Sequence, residues 1–455
     1  MASAFPYFTS GIRNMKKQII YSLFVTTLLS VAAFGQTPES GWDLERCIEY
    51  AVANNITVKQ SVLNQETAQN NLTRSKASRL PSLSASGSQS LTKGTSTDPI
   101  TYDFVSQTIH STSVALNAQV TLYGGNKINN TIRQNGLLVS QNSYYVEAAR
   151  NDISLQVTEA YLQALFYKEG ITIAENNLKS SEAQATRSQA LFDAGSIAMK
   201  DLADVKSQLA SDRYTLVTAR NSYDQQVLTL KQLLELEPEQ SFELAFPSKE
   251  QEGIFVIPDK YTVYKEALGI MPEIKSGKLQ TDVAALDLKI ARAGYQPSLS
   301  MTGGLSTGYT NTQGYTFSEQ FDNNFNQRLG LTLSIPIFNN LQTRTNVQNS
   351  RIEIQSAELN LTAARKTLYQ KIENAHQQAT AAQSEMEAAS AQSDASKVAY
   401  ELAQQQYAVG AVNTVDLLVS QNTYLQAQQK YTQAKYTAIL YYQLLQFYEG
   451  NPIKM

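Results

Sequence analysis

Two carboxylates at a fixed distance from a glycine are the residues best placed to do chemistry. In Leu191-Phe192-Asp193-Ala194-Gly195-Ser196-Ile197-Ala198-Met199-Lys200-Asp201-Leu202, Asp201 follows Gly195 by six positions and Asp204 lies three further on. In Gln406-Tyr407-Ala408-Val409-Gly410-Ala411-Val412-Asn413-Thr414-Val415-Asp416-Leu417, Asp416 again follows Gly410 by six, and Gly410 follows Gly195 by 215. Carboxylates gathered around an opening would concentrate cations and repel anions. The plainer alternative is a solvated charge at a helix start, favoured by the helix dipole. The glycine lets the chain leave a helix with an unusual φ and bares backbone to a partner; the alternative there is a turn and nothing more.

Other chemistries lack their residues. Two histidines and one cysteine cannot supply a His/Cys metal cluster, a thiol redox pair or an internal disulfide. His110 sits in a Ser/Thr-rich stretch and His376 on a polar helical pattern, without a nucleophile or ligand nearby in sequence. Cys47, on an amphipathic pattern, is expected to be a packed small residue. A formal charge of −3 gives no basic field for nucleic acid. No nucleophile–base pair is evident, so neither an enzyme nor a cofactor or metal is expected.

The elements that must position the acids are long helices. Residues 42–78 have a helical period, with Asp43 as a candidate N-cap and a break at Asn54-Asn55. A helix is predicted over 126–193, where Ile153, Val157, Ala160, Ala164, Tyr167, Ile171, Ala174 and Leu178 alternate steps of four and three. That is the 3.5-residue coiled-coil period, and an Ala-rich seam permits close packing. A 68-residue helix would measure about 100 Å. Gly195 stops it, and helix resumes over about 199–235. Strands are predicted at about 80–92, 111–123, 296–310 and 327–338, the first two joined by a Thr-, Asp- and Gly-rich loop. In the second, Val114, Leu116, Ala118, Val120 and Leu122 share one face against a polar face, with Tyr123 where an interfacial aromatic would sit. A half-buried hairpin of a soluble sandwich has the same pattern. A connector at 238–260 carries Pro238, Pro247, Pro258 and Gly253, with a short strand expected at 242–246.

Then the pattern repeats. Gln296-Pro297-Ser298-Leu299 matches Leu80-Pro81-Ser82-Leu83 at an offset of 216, and Leu329 to Phe338 matches the second strand, with Phe338 following Tyr123 by 215. A polar loop (311–326), a helix of about 341–407 and a last helix to Tyr448 complete the copy, with Tyr424, Ala427, Tyr431, Ala434, Ala438, Tyr441, Leu445 and Tyr448 as its seam. The chain therefore divides into a first repeat (36–237), the connector (238–260) and a second repeat (261–455). Residues 1–35 are expected to be a signal peptide with an upstream extension at 1–14: Met15-Lys16-Lys17 starts it, an apolar run from Ile19 to Phe34 follows, and Ala33-Phe34-Gly35 suits cleavage. A transmembrane anchor is the alternative.

Four strands per chain cannot close a barrel with a useful lumen, and lipid tolerates no open edge. Three copies would supply twelve. Here the chain resembles the TolC-like outer-membrane efflux proteins over about residues 42–450. The resemblance rests on the Leu-Pro-Ser-Leu and Gln-Pro-Ser-Leu strand starts, on Tyr407, Val409, Gly410, Asp416 and Leu417, and on the duplication. It implies an α+β membrane protein: a homotrimer with a 12-stranded barrel in the outer membrane, continued by a periplasmic α-helical tunnel. It implies a passive exit duct for small molecules, docked to a periplasmic adaptor (membrane fusion) protein and an inner-membrane transporter. Export of proteins in a type I system is the alternative, and a periplasmic coiled-coil scaffold is a further one. By resemblance Gly195, Ile197, Val409, Gly410 and Val412 would receive the adaptor, while Asp201, Asp204, Tyr407 and Asp416 would form the gate, with Tyr407 bonded toward Asp201. A second family Asp and an Arg are replaced here by Val419 and Val412, which implies a gate with fewer charged links.

Overall fold

The structure, a computed structural model, describes residues 41–97, 104–245 and 255–453. The expected signal peptide lies outside them. A small unit of its own joins Trp42 to Leu244 by one parallel bridge, with the Trp42 and Phe242 rings 5.4 Å apart. The short strand expected at 242–246 is thus reduced to a single bridge over its described residues. All other elements belong to the second unit.

There the first repeat opens with α1 (Leu44–Asn54) and α2 (Ile56–Ala77). Leu44, Cys47 and Ala51 are buried, at the spacing of one helix face. Asn55 makes the break between them: its Oδ1 accepts from the Thr57 N–H at 2.8 Å, and its Nδ2 donates to the Leu233 carbonyl at 3.2 Å. The second repeat makes the same break differently. Between α5 (Lys260–Ile270) and α6 (Pro272–Arg292), Pro272 occupies the first helical turn, where its missing N–H costs nothing.

The long helices are α3 (Lys127–Asp193) and α8 (Gln342–Ala408), of 67 residues each and so about 100 Å. The shorter α4 (Met199–Leu233) and α9 (Thr414–Tyr448) follow them, 35 residues each. Contacts between α3 and α4 run in opposite senses along the two helices: Glu182 meets Arg213, Glu175 meets Arg220, and the Ala160 carbonyl meets Gln226. They are therefore antiparallel. Of the predicted α3 seam, Ile153, Val157, Ala160, Ala164, Ile171 and Ala174 are buried, and Tyr167 and Leu178 half-buried. In the second repeat Leu368, Ile372, Ala375 and Ala379 of α8 pack with Leu445 and Tyr448 of α9 and with Val263, Ala267 and Ile274 of α5 and α6. Ile372 and Leu445 are fully buried, about 1.5–3 kcal/mol of apolar transfer each. Among the described residues no helix is long and apolar enough to cross a membrane.

The strands β1 (Ser82–Thr97), β2 (Phe104–Gly124), β3 (Ser298–Thr310) and β4 (Asn326–Ser334) form one antiparallel sheet in sequence order. The first hairpin is longer than expected. Thr92, Lys93, Gly94 and Thr95 continue the ladder opposite Ile109, Thr108, Gln107 and Ser106. Thr-rich segments pair well without an apolar face, so alternation under-reports them. β4 is shorter than expected, ending at Ser334, because Pro336 has no N–H for the ladder. A bulge between Thr121 and Tyr123 sets Tyr123 opposite Leu299, in the register of the apolar row that includes Val120 and Met301. Sequence alternation had Tyr123 on the polar face. The loop expected to be plainly polar between β3 and β4 holds a helix, α7 (Phe317–Asn323), started by a capping box between Thr316 and Glu319.

Candidate docking tip and gate

Both helix reversals are built the same way. At the first, the Gly195 N–H donates to the Phe192 carbonyl and the Ser196 N–H to the Leu191 carbonyl, each at 2.8 Å. At the second, Gly410 donates to Tyr407 at 3.2 Å and Ala411 to Gln406 at 2.9 Å. These are paired Schellman bonds, which satisfy the last carbonyls of α3 and α8. The motif needs a left-handed residue, and Gly195 and Gly410 have φ of +71° and +74°. A Cβ added at either would meet nothing within 4 Å.

The restart of the helix separates the two copies. Asn413 caps α9, its Oδ1 accepting from the Asp416 N–H at 2.9 Å; the matching residue before α4 is Ala198, which has no capping side chain. Beyond the cap the contrast is one of charge. Lys200 donates to Asp204 at 2.9 Å, and that carboxylate holds the lysine above its ordinary pKa. The second copy has Val415 and Val419 at those positions, both about half exposed. Val409 is 80% exposed, while Ile197 and Val412 are half-buried. The second tip is therefore apolar and open where the first carries a neutralised ion pair. Asp416 is exposed and Asp201 half-exposed, and among the described residues neither carboxylate has an ion-pair partner.

Tyr407 lies against this turn, packed on the core of Tyr400, Ala403 and Leu417, of which Leu417 is 1% exposed. Its hydroxyl lies 3.3 Å from the Ser188 hydroxyl and accepts from Thr414 Oγ1 at 3.5 Å. Among the described residues of this chain, the bond expected from Tyr407 toward Asp201 is not made. A missed partner is Arg187, whose Nη2 donates to the Ala408 carbonyl at 2.8 Å and so ties α3 to the end of α8. Also missed is a buried polar group about two to four helical turns from the tip. The Asp212 carboxylate of α4 accepts from Ser181 of α3 and from Gln208 Nε2. Gln421 of α9 donates to Ser181 and Asn177 at 2.9 and 2.8 Å, so three helices from both repeats meet there. Asp212, Ser181 and Gln421 are all at most 2% exposed. Only the Asn413-x-x-Asp416 cap had a signal in sequence; the network joins residues too far apart to show one.

Comparison with known proteins follows these halves. The family model for outer membrane efflux proteins matches residues 47–235 and again 263–450. The pyoverdine export outer membrane protein OpmQ of Pseudomonas aeruginosa is 28% identical over 43% of this chain, and the match spans 39% of OpmQ. The alkaline protease secretion protein AprF of the same organism is 25% identical over 42% of the chain and 39% of its own length. The chain thus spans about two fifths of each of these relatives. The fold is that of the CusC crystal structure, with a TM-score of 0.77 at 18% identity, covering 92% of this chain and 96% of that one. Since the same model is matched once in each repeat, and over most of the chain, this chain belongs to the outer membrane efflux protein family.

Proposed function

We propose that the chain is the outer-membrane exit duct of a tripartite efflux system, a passive homotrimer exporting small molecules. The observation that carries this reading is the sheet: among the described residues β1 and β4 are unpaired edges, and an edge in lipid must find a partner. Leu329, Leu331 and Leu333 of β4 are each more than half exposed, as a lipid-facing row would be in one isolated copy. Three copies joined edge to edge make twelve strands. Residues 1–35 serve as the signal peptide, cleaved near Gly35, and the helices form a periplasmic tunnel. Its far end presents Gly195, Ile197, Val409, Gly410 and Val412 to a periplasmic adaptor, which links the duct to an inner-membrane transporter. Asp201, Asp204, Tyr407 and Asp416 surround the mouth, with Asp416 as the uncompensated charge of the second repeat. Family membership in an efflux class weighs against an enzyme and against a soluble scaffold.

The match to AprF favours a second cargo, secreted protein, over the same architecture. Identification of the adaptor and pump that co-purify with the chain separates the two. The duct itself is tested by purifying the chain from outer-membrane fractions and measuring conductance in planar bilayers. Trimers that conduct, and that lose cation preference on Asp416→Asn, are expected. A monomer without conductance overturns the reading, and unchanged selectivity removes Asp416 from the gate.

A further inference from the structure

The polar face of the sheet carries one fixed charge. Paired residues share a face, so a single row runs across the four strands from Ser84 to Asn117, Gly304 and Arg328. On the same face β1 presents only serines from Ser82 to Ser90, alternating with the other face. The remaining strand charges lie elsewhere: Lys93 and His110 are in register with Leu91, on the apolar side. Arg328 is exposed, and among the described residues it has no carboxylate partner. Its Nη2 lies 3.7 Å from where a Cβ of residue 304 would stand, and Asn117 Oδ1 lies 3.4 Å from the same point. Glycine at 304 thus leaves the guanidinium room to lie over the sheet. The matching position in the first repeat is Ser113, so each chain contributes one such cation.

We propose that Arg328 is a specificity-determining residue of the duct: three copies form a cationic ring halfway along the barrel that favours solutes bearing carboxylate or phosphate groups. This rests on the trimeric duct proposed above. Arg328 is six residues along from the helical end of β3 through its pairing with Gly304, about 20 Å at ~3.3 Å per residue. Twelve strands spaced ~4.8 Å apart and tilted ~40° enclose a backbone diameter of roughly 24 Å. A guanidinium lying over the sheet, roughly 5 Å inside the backbone, leaves the lumen axis within about 7 Å of each charge, inside the ~8 Å Debye length of physiological salt. Serines, threonines, amides, glycines and a few small or apolar residues such as Ala115 and Ile109 line the rest of that face, and none of them carries an opposing charge. Rings of Arg or Lys select anions by this means. The duct then carries opposite charges in series, carboxylates at the tip and guanidiniums in the barrel.

The test uses full-length trimers in planar bilayers, with citrate added on the barrel side as the anionic probe. Reversal potentials under a salt gradient are measured for the wild type, Arg328→Gln and Arg328→Lys, each in an Asp416→Asn background so that the tip does not dominate. The Gln variant should lose anion permeability severalfold relative to cations and escape slowing by citrate. The Lys variant should keep both properties, which a purely structural role for the guanidinium would not produce. Equal reversal potentials and equal citrate effects in all three overturn the ring. A wild type that forms no channels refutes the duct reading instead.

Discussion

At the scale of single residues, the tip glycines separate two kinds of requirement. Gly410 needs its φ of +74° but has no neighbour within 4 Å of a Cβ. Alanine there costs about 1 kcal/mol of left-handed strain and no clash within the chain. Gly450 also has a positive φ, +86°, but a Cβ there would meet Ile270 Cδ1 at 2.9 Å. Gly410→Ala should therefore leave trimers intact with a small fall in melting temperature, and should weaken capture of the adaptor. Gly450→Ala should lower the melting temperature more and leave capture unchanged. Melting curves and adaptor pull-down on the two variants decide the matter. If Gly410→Ala captures the adaptor like the wild type, the glycine serves only the turn.

At the scale of elements, helices are held together by polar contacts that no local pattern announces. Asp212 is buried and, among the described residues, has no cation beside it; its carboxylate is satisfied by Ser181 and Gln208, while Gln421 brings in α9. Asp212→Ala strands the buried Ser181 hydroxyl, at about 1–3 kcal/mol, while the half-buried Gln208 amide can turn to water. The substitution should lower the denaturant midpoint without changing the strands. A midpoint equal to the wild type would mean that the network carries no stability. A second tie, Lys260 to Glu373 at 2.7 Å, joins α5 to α8. Its pH dependence follows from its shifts. The Lys260 hydrogen bond, aided by Gln377 and Tyr369, holds the Glu373 carboxyl below its ordinary value, and the same bond to Glu373 raises Lys260. The carboxylate's contribution is complete above about pH 4.3 and is lost as pH falls through the lowered folded value; the lysine's is complete below about 10.4 and is lost as pH rises through the raised one. The melting-temperature gap between wild type and Lys260→Met should thus be constant from pH 6 to 8 and close below about pH 4. A gap that persists in acid would assign the loss to packing. The same contrast explains what was legible in sequence. The α3 seam and the glycine stops are local, so period and breakers exposed them. The far half of the β1–β2 hairpin was not, because Thr92 to Thr95 pair by backbone with no apolar alternation. The helix α7 was legible in principle, since Thr316-x-x-Glu319 is a capping box, but its short run of residues has no period to find.

At the scale of the whole molecule, the duplication makes the proposed closure specific down to residue pairs. Inside the chain, the second strand of one repeat pairs with the first strand of the next: Asn117 faces Gly304, and Gln119 faces Thr302. Shifted by the repeat offsets of 215 and 216, the same geometry sets Thr332 of one copy against Ser88 of its neighbour, and Ser334 against Ser86. Directly opposed residues have Cα atoms about 4.5–5.5 Å apart, within disulfide range. Thr332→Cys with Ser88→Cys should therefore oxidise to a covalent three-chain ring, seen on a non-reducing gel as a species of three times the chain mass that collapses on reduction. Cys47 is replaced by Ala first, so that no native thiol competes. Leu331→Cys with Ser88→Cys should not cross-link, since a slip of one residue sends the two side chains to opposite faces. If the second pair closes in place of the first, the neighbouring copies do not follow the internal register, and the apolar row of β4 would turn toward the lumen. If neither closes while trimers persist, the edges β1 and β4 do not meet, and twelve strands cannot be the barrel.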